Sequence, residues 1–335
     1  MAEPGSDAWL ASVTEEIIEP ERRIIDPHHH LWESPAGMWG CYVLDSLWAD
    51  TESGHNVEKT VFIECRSGYR EDGPEPLRPV GETEYVAGVA AESAKREGTA
   101  TIAGIVGHAD LRRHEGLDSV LQAHEQAGNG LFRGIRHAGP FDTTGALKNP
   151  GRNNESPYVD PAFRAGVQAL GRLGYTYDTW HFHHQNREYL DLARACPDTV
   201  MILDHFGTPL GVGPYAGRQE EIFAQWQHDI AAIAECPNVV AKLGGMAMPD
   251  NGFGWDSDPS PPSSDEFVAA QRRYFMHTIE CFGPERCMFE SNYPVDRLSI
   301  SYHVLWNAFK KLVADFSEDE KDAMFYGTAA RIYRI

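Results

Sequence analysis

Three absences narrow the reading of this chain. No apolar run approaches the roughly 20 residues that a bilayer-spanning helix needs. None of the six cysteines (Cys41, Cys65, Cys196, Cys236, Cys281, Cys287) stands in a C-x-x-C pair, so the common zinc-knuckle and redox spacings are missing. Positive charge is scarce: 29 Lys and Arg face 50 Asp and Glu, for a formal net charge of −21. Such a surface repels phosphate backbones and anionic bilayers, so neither a nucleic-acid nor a membrane partner is expected. A few arginines in one pocket would still invert the field locally for a small anionic substrate. Glu3, Asp7, Glu15 and Glu16 precede any apolar stretch, unlike a secretory leader. A cytoplasmic chain with reduced thiols is therefore the expectation, with homo-oligomerisation left open. Cys65 reads as a small core side chain ahead of a catalytic thiol.

What is present is a serial alternation. At 335 residues, 42% hydrophobic and 24% charged, the chain is long enough for one barrel-sized core. Short β-branched or apolar runs predict strands at 24–30, 59–65, 100–107, 131–137, 175–182, 200–205, 238–244 and 286–291. Helical spacing marks 82–97, 116–127, 161–173, 187–195, 219–235 and 265–282 between them. Eight strand–helix units imply an α/β fold with a parallel sheet, best matched by a distorted (β/α)8 TIM barrel over 23–335. An open doubly wound sheet is second, because no Gly-x-Gly-x-x-Gly follows the first strand. Residues 1–22 form an N-terminal extension, expected to cover the barrel base or a neighbouring subunit. The Gly/Pro/Ser/Asp-rich stretch 247–264 is a long loop on the catalytic face; Phe253 and Trp255 suggest a lid, and plain flexibility explains it equally. The loop 33–56, with Trp39, Tyr42 and Trp48, is a second candidate for substrate contact.

Residues 24–32 read Ile-Ile-Asp-Pro-His-His-His-Leu-Trp. Strict strand alternation sends Asp26, His28 and His30 to one face and His29 to the other, a ready metal or acid–base site. A solvated His-rich turn is the plainer alternative. Further polar residues fall at the C-terminal ends of the other strands, where barrel enzymes keep their chemistry. These are Glu64 and Arg66; His108 and Asp110; Arg136 and His137; His181, His183 and His184; Asp204 and His205; Lys242; and Glu290, Ser291 and Asn292. Asp204 could instead cap a turn, Lys242 could pair with a core carboxylate, and His108 and His137 could bond backbone carbonyls. The three strand-five histidines cannot all face the axis.

Five segments occur in order: Asp-Pro-His-His-His-Leu-Trp (26–32), Phe-Arg-Gly-Ile-Arg-His (132–137), Leu-Asp-His-Phe-Gly-Thr-Pro (203–209), Ala-Lys-Leu-Gly-Gly-Met (241–246) and Phe-Glu-Ser-Asn-Tyr-Pro-Val-Asp (289–296). Together they resemble the amidohydrolase superfamily, in the branch of metal-dependent hydrolases that includes sugar-acid lactonases and 2-pyrone-4,6-dicarboxylate lactonase. The resemblance spans roughly residues 23–335. It implies hydrolysis of a lactone or other ester of a small, carboxylate-bearing substrate. His28 and His30 match the first-strand pair, His205 the sixth-strand histidine that meets substrate or metal, and Arg136 the arginine that often holds a substrate carboxylate.

One departure stands out. The branch usually carries Ser-Asp-Trp-Pro at strand eight, whereas this chain has Ser291-Asn292-Tyr293-Pro294. An amide cannot accept a proton at neutral pH. Asp296, Glu290 or the strand-five His181 would have to replace the base, or hydrolysis has been lost; a variant active site is the preferred reading. The candidates are therefore His28, His30, His205, Asn292, Asp296 and His181 for catalysis. Arg66, Arg136, His137, Glu64 and Trp39 are the candidates for substrate contact. His28, His30 and His205 would hold a divalent metal, zinc before manganese, unless imidazoles and Arg136 stabilise the oxyanion without one. A metal-dependent aromatic-acid decarboxylase and a non-catalytic ligand-binding barrel are the competing functions.

Overall fold

The computed structural model describes residues 2–34, 37–113, 116–151 and 153–335; Pro35 and Ala36 of the 33–56 loop lie outside them. Eight parallel strands run in chain order: β1 (Arg23–His29), β2 (Asn56–Ile63), β3 (Thr101–Gly107), β4 (Phe132–Arg136), β5 (Thr176–Thr179), β6 (Met201–Leu203), β7 (Val239–Leu243) and β8 (Cys287–Phe289). The ring closes without a full β8–β1 ladder. A single parallel bridge joins His29 to Tyr293, and the His30 N–H donates to the Tyr293 carbonyl at 2.8 Å. The structure is thus a (β/α)8 barrel and not an open sheet.

The two faces of each strand bury different things, as parallel strands covered on both sides must. Inside the barrel Ile25, Val61, Ile63, Val106, Ile202, Val240 and Met288 pack with Ala329, Ile332 and Tyr333 of the helix Thr328–Tyr333. Outside, an aromatic-rich core lies between strands and helices and includes Phe62, Phe132, Phe289, Trp306 and Phe309. The expected helices are present as Val80–Ser93, Leu117–Gly128, Pro161–Leu173, Asn186–Ala195, Gln219–Ala234 and Ser264–Phe282.

Four expectations change. The 33–56 loop contains a helix, Leu44–Thr51, whose one buried edge is too short to register as a period. Phe253 and Trp255 do not form a lid over the mouth. They stack on each other at 4.9 Å, and Trp255 stacks on Phe267 of the helix Ser264–Phe282. The extension does not cover the base alone. The Trp9 indole donates to the Asp258 carbonyl and Arg297 to the Gly5 carbonyl, both on loops at the C-terminal face. From there it descends past Asn307 to Lys310, which donates to the Ile18 and Glu19 carbonyls. Finally, β1 does not alternate strictly. Its register with β2 shifts between Asp26 and His29, around Pro27. Ile25 belongs to the barrel interior, whereas Asp26 faces outward, accepting from the Ser291 N–H at 2.9 Å and the Tyr302 hydroxyl at 2.9 Å.

Candidate active site

A cavity of about 780 Å³ opens at the C-terminal ends of the strands. His30, His205, Asn292, Arg66, Arg136, His137, Glu64 and Trp39 all line it. His28 lies just below, its ring 5.0 Å from His30 and 4.6 Å from His205. Separate strands therefore bring the imidazoles to one place.

Beneath that lining is a fully buried charged floor. Glu290 sits between two imidazoles: its Oε1 is 2.7 Å from His205 Nδ1 and its Oε2 is 2.7 Å from His28 Nδ1. Lys242 Nζ lies 3.0 Å from Asp178, 3.2 Å from Asp204 and 3.9 Å from Glu290. All four of these charged residues have no exposure to solvent. Three carboxylates around one ammonium explain why Lys242 is driven above its ordinary pKa although burial opposes its charge. Burial raises the Asp204 and Glu290 carboxyls above their ordinary range, while the Lys242 ammonium pulls both back. Burial also holds His205 down to about 3 and His28 and His30 well below the usual imidazole range. The rings are neutral at pH 7 and keep a lone pair.

Which nitrogen carries that lone pair follows from the partners. His30 Nδ1 lies 2.8 Å from the Ile63 carbonyl, which can only accept, so its hydrogen is on Nδ1 and Nε2 is free. Both His28 nitrogens face charged groups of the floor: Nε2 lies 3.4 Å from Arg136 Nη1, and Nδ1 lies 2.7 Å from Glu290 Oε2 and 3.2 Å from Lys242 Nζ. Arg136 is further committed: Nε donates to Glu64 Oε1 at 3.0 Å, Nη2 to the Glu64 carbonyl, and Nη1 lies 3.8 Å from Asp204. It is an internal cation of the floor that also lines the cavity.

The backbone accommodates this crowding in ways the motifs reflect. His205, Arg66 and Asn292 take positive φ values of 53°, 68° and 56°, a conformation costing about 1 kcal/mol or more for non-glycine residues. A Cβ on Gly244 would lie 2.1 Å from the Glu290 carbonyl oxygen, and one on Gly245 2.1 Å from His205 Nδ1. The Gly-Gly pair after Lys242 is what lets Glu290 and His205 meet.

The remaining candidates separate. Asp296 lies behind Asn292, accepting its amide at 2.8 Å and the Ala247 N–H at 3.1 Å; with both oxygens engaged, it does not line the cavity. His181 is not brought to the mouth. Its Nε2 is 2.9 Å from Asn186 Oδ1, and Nδ1 is held among Tyr158 and Thr179. His183 and His184 sit in a turn beside Tyr215. His108 bonds the Arg136 carbonyl at 3.0 Å, whereas His137 accepts from the Leu111 N–H at 3.1 Å. The Cys65 thiol donates to the Leu31 carbonyl, and burial raises its pKa, so it stays protonated. Sequence reasoning left Asp178 out and gave Asp204, Lys242 and Glu290 no settled place. Their polar character in apolar strands was the available signal.

His28, Asp204 and His205 offer ligand atoms within 4.8 Å of one another, a set that differs from the expected one by Asp204 in place of His30. Both Asp204 oxygens are buried without a hydrogen bond, although Lys242 and Arg136 flank them. Two neutral imidazoles and such a carboxylate suit a divalent cation.

Residues 25–335 match the amidohydrolase family. An uncharacterized protein of Sinorhizobium fredii is 33% identical over 331 residues, covering 93% of this chain and 98% of its own. L-fucono-1,5-lactonase of Burkholderia multivorans is 27% identical over 324 residues, covering 93% and 96%. Among solved structures, a zinc-bound amidohydrolase from Burkholderia multivorans superposes with a TM-score of 0.73 at 23% identity, over 93% of this chain and 99% of that one. The eight-stranded barrel, its strand-end histidines and this match over nearly the whole length agree: the chain belongs to the amidohydrolase family.

Proposed function

We propose that the cavity hydrolyses a lactone or related carboxylic ester of a small, carboxylate-bearing substrate, with water attacking at the barrel mouth. The observation that carries this reading is the Glu290–His205 pair beside His30. A neutral imidazole held at Nδ1 by a carboxylate presents Nε2 as a general base, which answers the loss of the strand-eight aspartate. Asp296 acts through Asn292, orienting its amide, and His181 supports the wall from behind. His205 takes the proton of the attacking water, and Glu290 stabilises the imidazolium that forms. His30 Nε2 accepts from the water's second hydrogen and orients it. Arg136 and Lys242 supply fixed positive potential beneath the developing oxyanion.

His28, Asp204 and His205 would hold a divalent metal, zinc ahead of manganese; His205 Nε2 would then be a ligand and not the base, and the metal would supply Lewis-acid polarisation and a more acidic water in its place. Arg66 and Arg78 are the carboxylate grip. Both are exposed, line the cavity and make no ion pair among the described residues. His137 and Trp39 shape the wall. The name of the Burkholderia relative supports a lactone.

A panel of sugar-acid lactones, pyrone carboxylates and simple esters, followed by proton release, tests the reading. Turnover of at least one lactone, abolished in His205→Asn, is the expected result. Release of CO₂ from a carboxylated phenol with no lactone cleaved would replace it by a decarboxylase, and binding without turnover by a ligand-binding barrel.

A further inference from the structure

We propose that Tyr333 is a positioning residue for the active site, reaching it through the barrel from the opposite end. The inference rests on the floor cluster being the site proposed above. Tyr333 belongs to the helix Thr328–Tyr333, whose neighbours Ala329 and Ile332 plug the barrel with apolar contacts alone. Nothing in such a plug asks for a hydroxyl; phenylalanine would fill the same space. The hydroxyl nevertheless is fully buried and donates to Asp178 Oδ1 at 2.5 Å.

The same Asp178 oxygen accepts from Lys242 Nζ at 3.0 Å, and Oδ2 accepts from the Thr176 hydroxyl at 3.3 Å. Asp178 is thereby fixed on three sides. Lys242 in turn spans Asp178, Asp204 and Glu290, and its Nζ lies 5.6 Å from the Tyr333 ring centroid. Glu290 holds His28 and His205. A continuous polar relay thus runs from Tyr333 through Asp178, Lys242 and Glu290 to the imidazoles. Remove the hydroxyl, and Asp178 turns its freed oxygen wholly to Lys242, drawing the ammonium away from Asp204 and Glu290.

Nuclear magnetic resonance of ring-¹⁵N-histidine-labelled, chelator-treated protein tests this without substrate, so its outcome is independent of the lactone reading. Wild type, Tyr333→Phe and Ile332→Ala are compared, with His28 and His205 signals assigned from single His→Asn variants. Tyr333→Phe is expected to shift the His28 and His205 nitrogens and leave the distant His55 and His124 in place. Ile332→Ala, which loosens the same plug but keeps the hydroxyl, is expected to leave all four. Unmoved His28 and His205 signals in Tyr333→Phe overturn the proposal, as does an equal shift in Ile332→Ala. On any substrate the panel identifies, kcat should fall about tenfold in Tyr333→Phe with KM unchanged.

Discussion

The floor and the rim of the cavity handle charge in opposite ways. On the floor, Asp178, Asp204, Lys242 and Glu290 are wholly buried, and each charge is set against another within about one hydrogen-bond length or slightly more. On the rim, Arg112 pairs with Asp110 and Arg113 with Glu75 in side chains half open to solvent, while Arg66 and Arg78 are exposed. Floor charges were desolvated when the chain folded, so little reorganisation remains when a reaction develops charge above them. Rim charges stay hydrated and individually weak. Under the proposed function, chemistry belongs to the floor and recognition to the rim, where exposed arginines offset locally a net charge of −21.

The largest expected break in this contrast is Lys242→Met. It leaves three buried carboxylates without their ammonium, and breaking such a network costs about 3–5 kcal/mol. Urea unfolding at pH 7 should register a loss of that size, smaller at pH 5 where the carboxyls protonate more readily. A loss below about 1 kcal/mol at pH 7 would mean the ammonium is not what holds the floor. Next come Arg66→Gln and Arg78→Gln. Each should raise KM for an anionic substrate about tenfold, or about 1.4 kcal/mol, with kcat within about twofold and a neutral analogue unaffected. Equal losses in kcat would move these arginines from recognition to chemistry.

The smallest effect is on stability against pH. Burial raises Glu82 and Asp296 to about 8 and lowers His124 and His181 to about 4. Below about pH 7.5 the two classes oppose: the folded state binds extra protons on carboxyls and fewer on imidazoles than the unfolded chain. From about 7.5 to 8.5 the imidazoles are essentially neutral in both states, and only the carboxyls retain protons in the folded one. Stability should therefore fall as pH rises across that window. A thermal midpoint that is flat or climbing there would contradict the buried-carboxyl account.

Much of this was legible in the sequence, for reasons that also explain the gaps. All eight strands were visible because parallel strands buried on both faces are continuous apolar runs, and polar residues at their ends stood out against them. His28, His30, His205 and Arg136 became candidates that way. What the pattern could not supply was which polar side chains touch. Glu290 and His205 are 85 positions apart, and no local period reports that they meet. Asp26 was assigned to the wrong face because the register shift around Pro27 breaks a strict alternation. Arg136 matched a known position, yet its pairing with Glu64, 72 positions away, had no local signal. Arg78 stands in a loop with no period, and Tyr333 resembles any other core aromatic.

The closing bridge between His29 and Tyr293 has an architectural consequence. His28 and His30 flank one end of that bridge and Asn292 the other, so the bridge, with the Ser291 N–H to Asp26 bond beside it, fixes the gap between those two walls of the cavity. Every other pair of neighbouring strands shares a parallel ladder and is connected in the chain through a loop and a helix. Insertions in those connections would reshape the entrance and retune selectivity while the spacing across the seam stayed constant, a division of labour that permits diversification around an unaltered reaction centre.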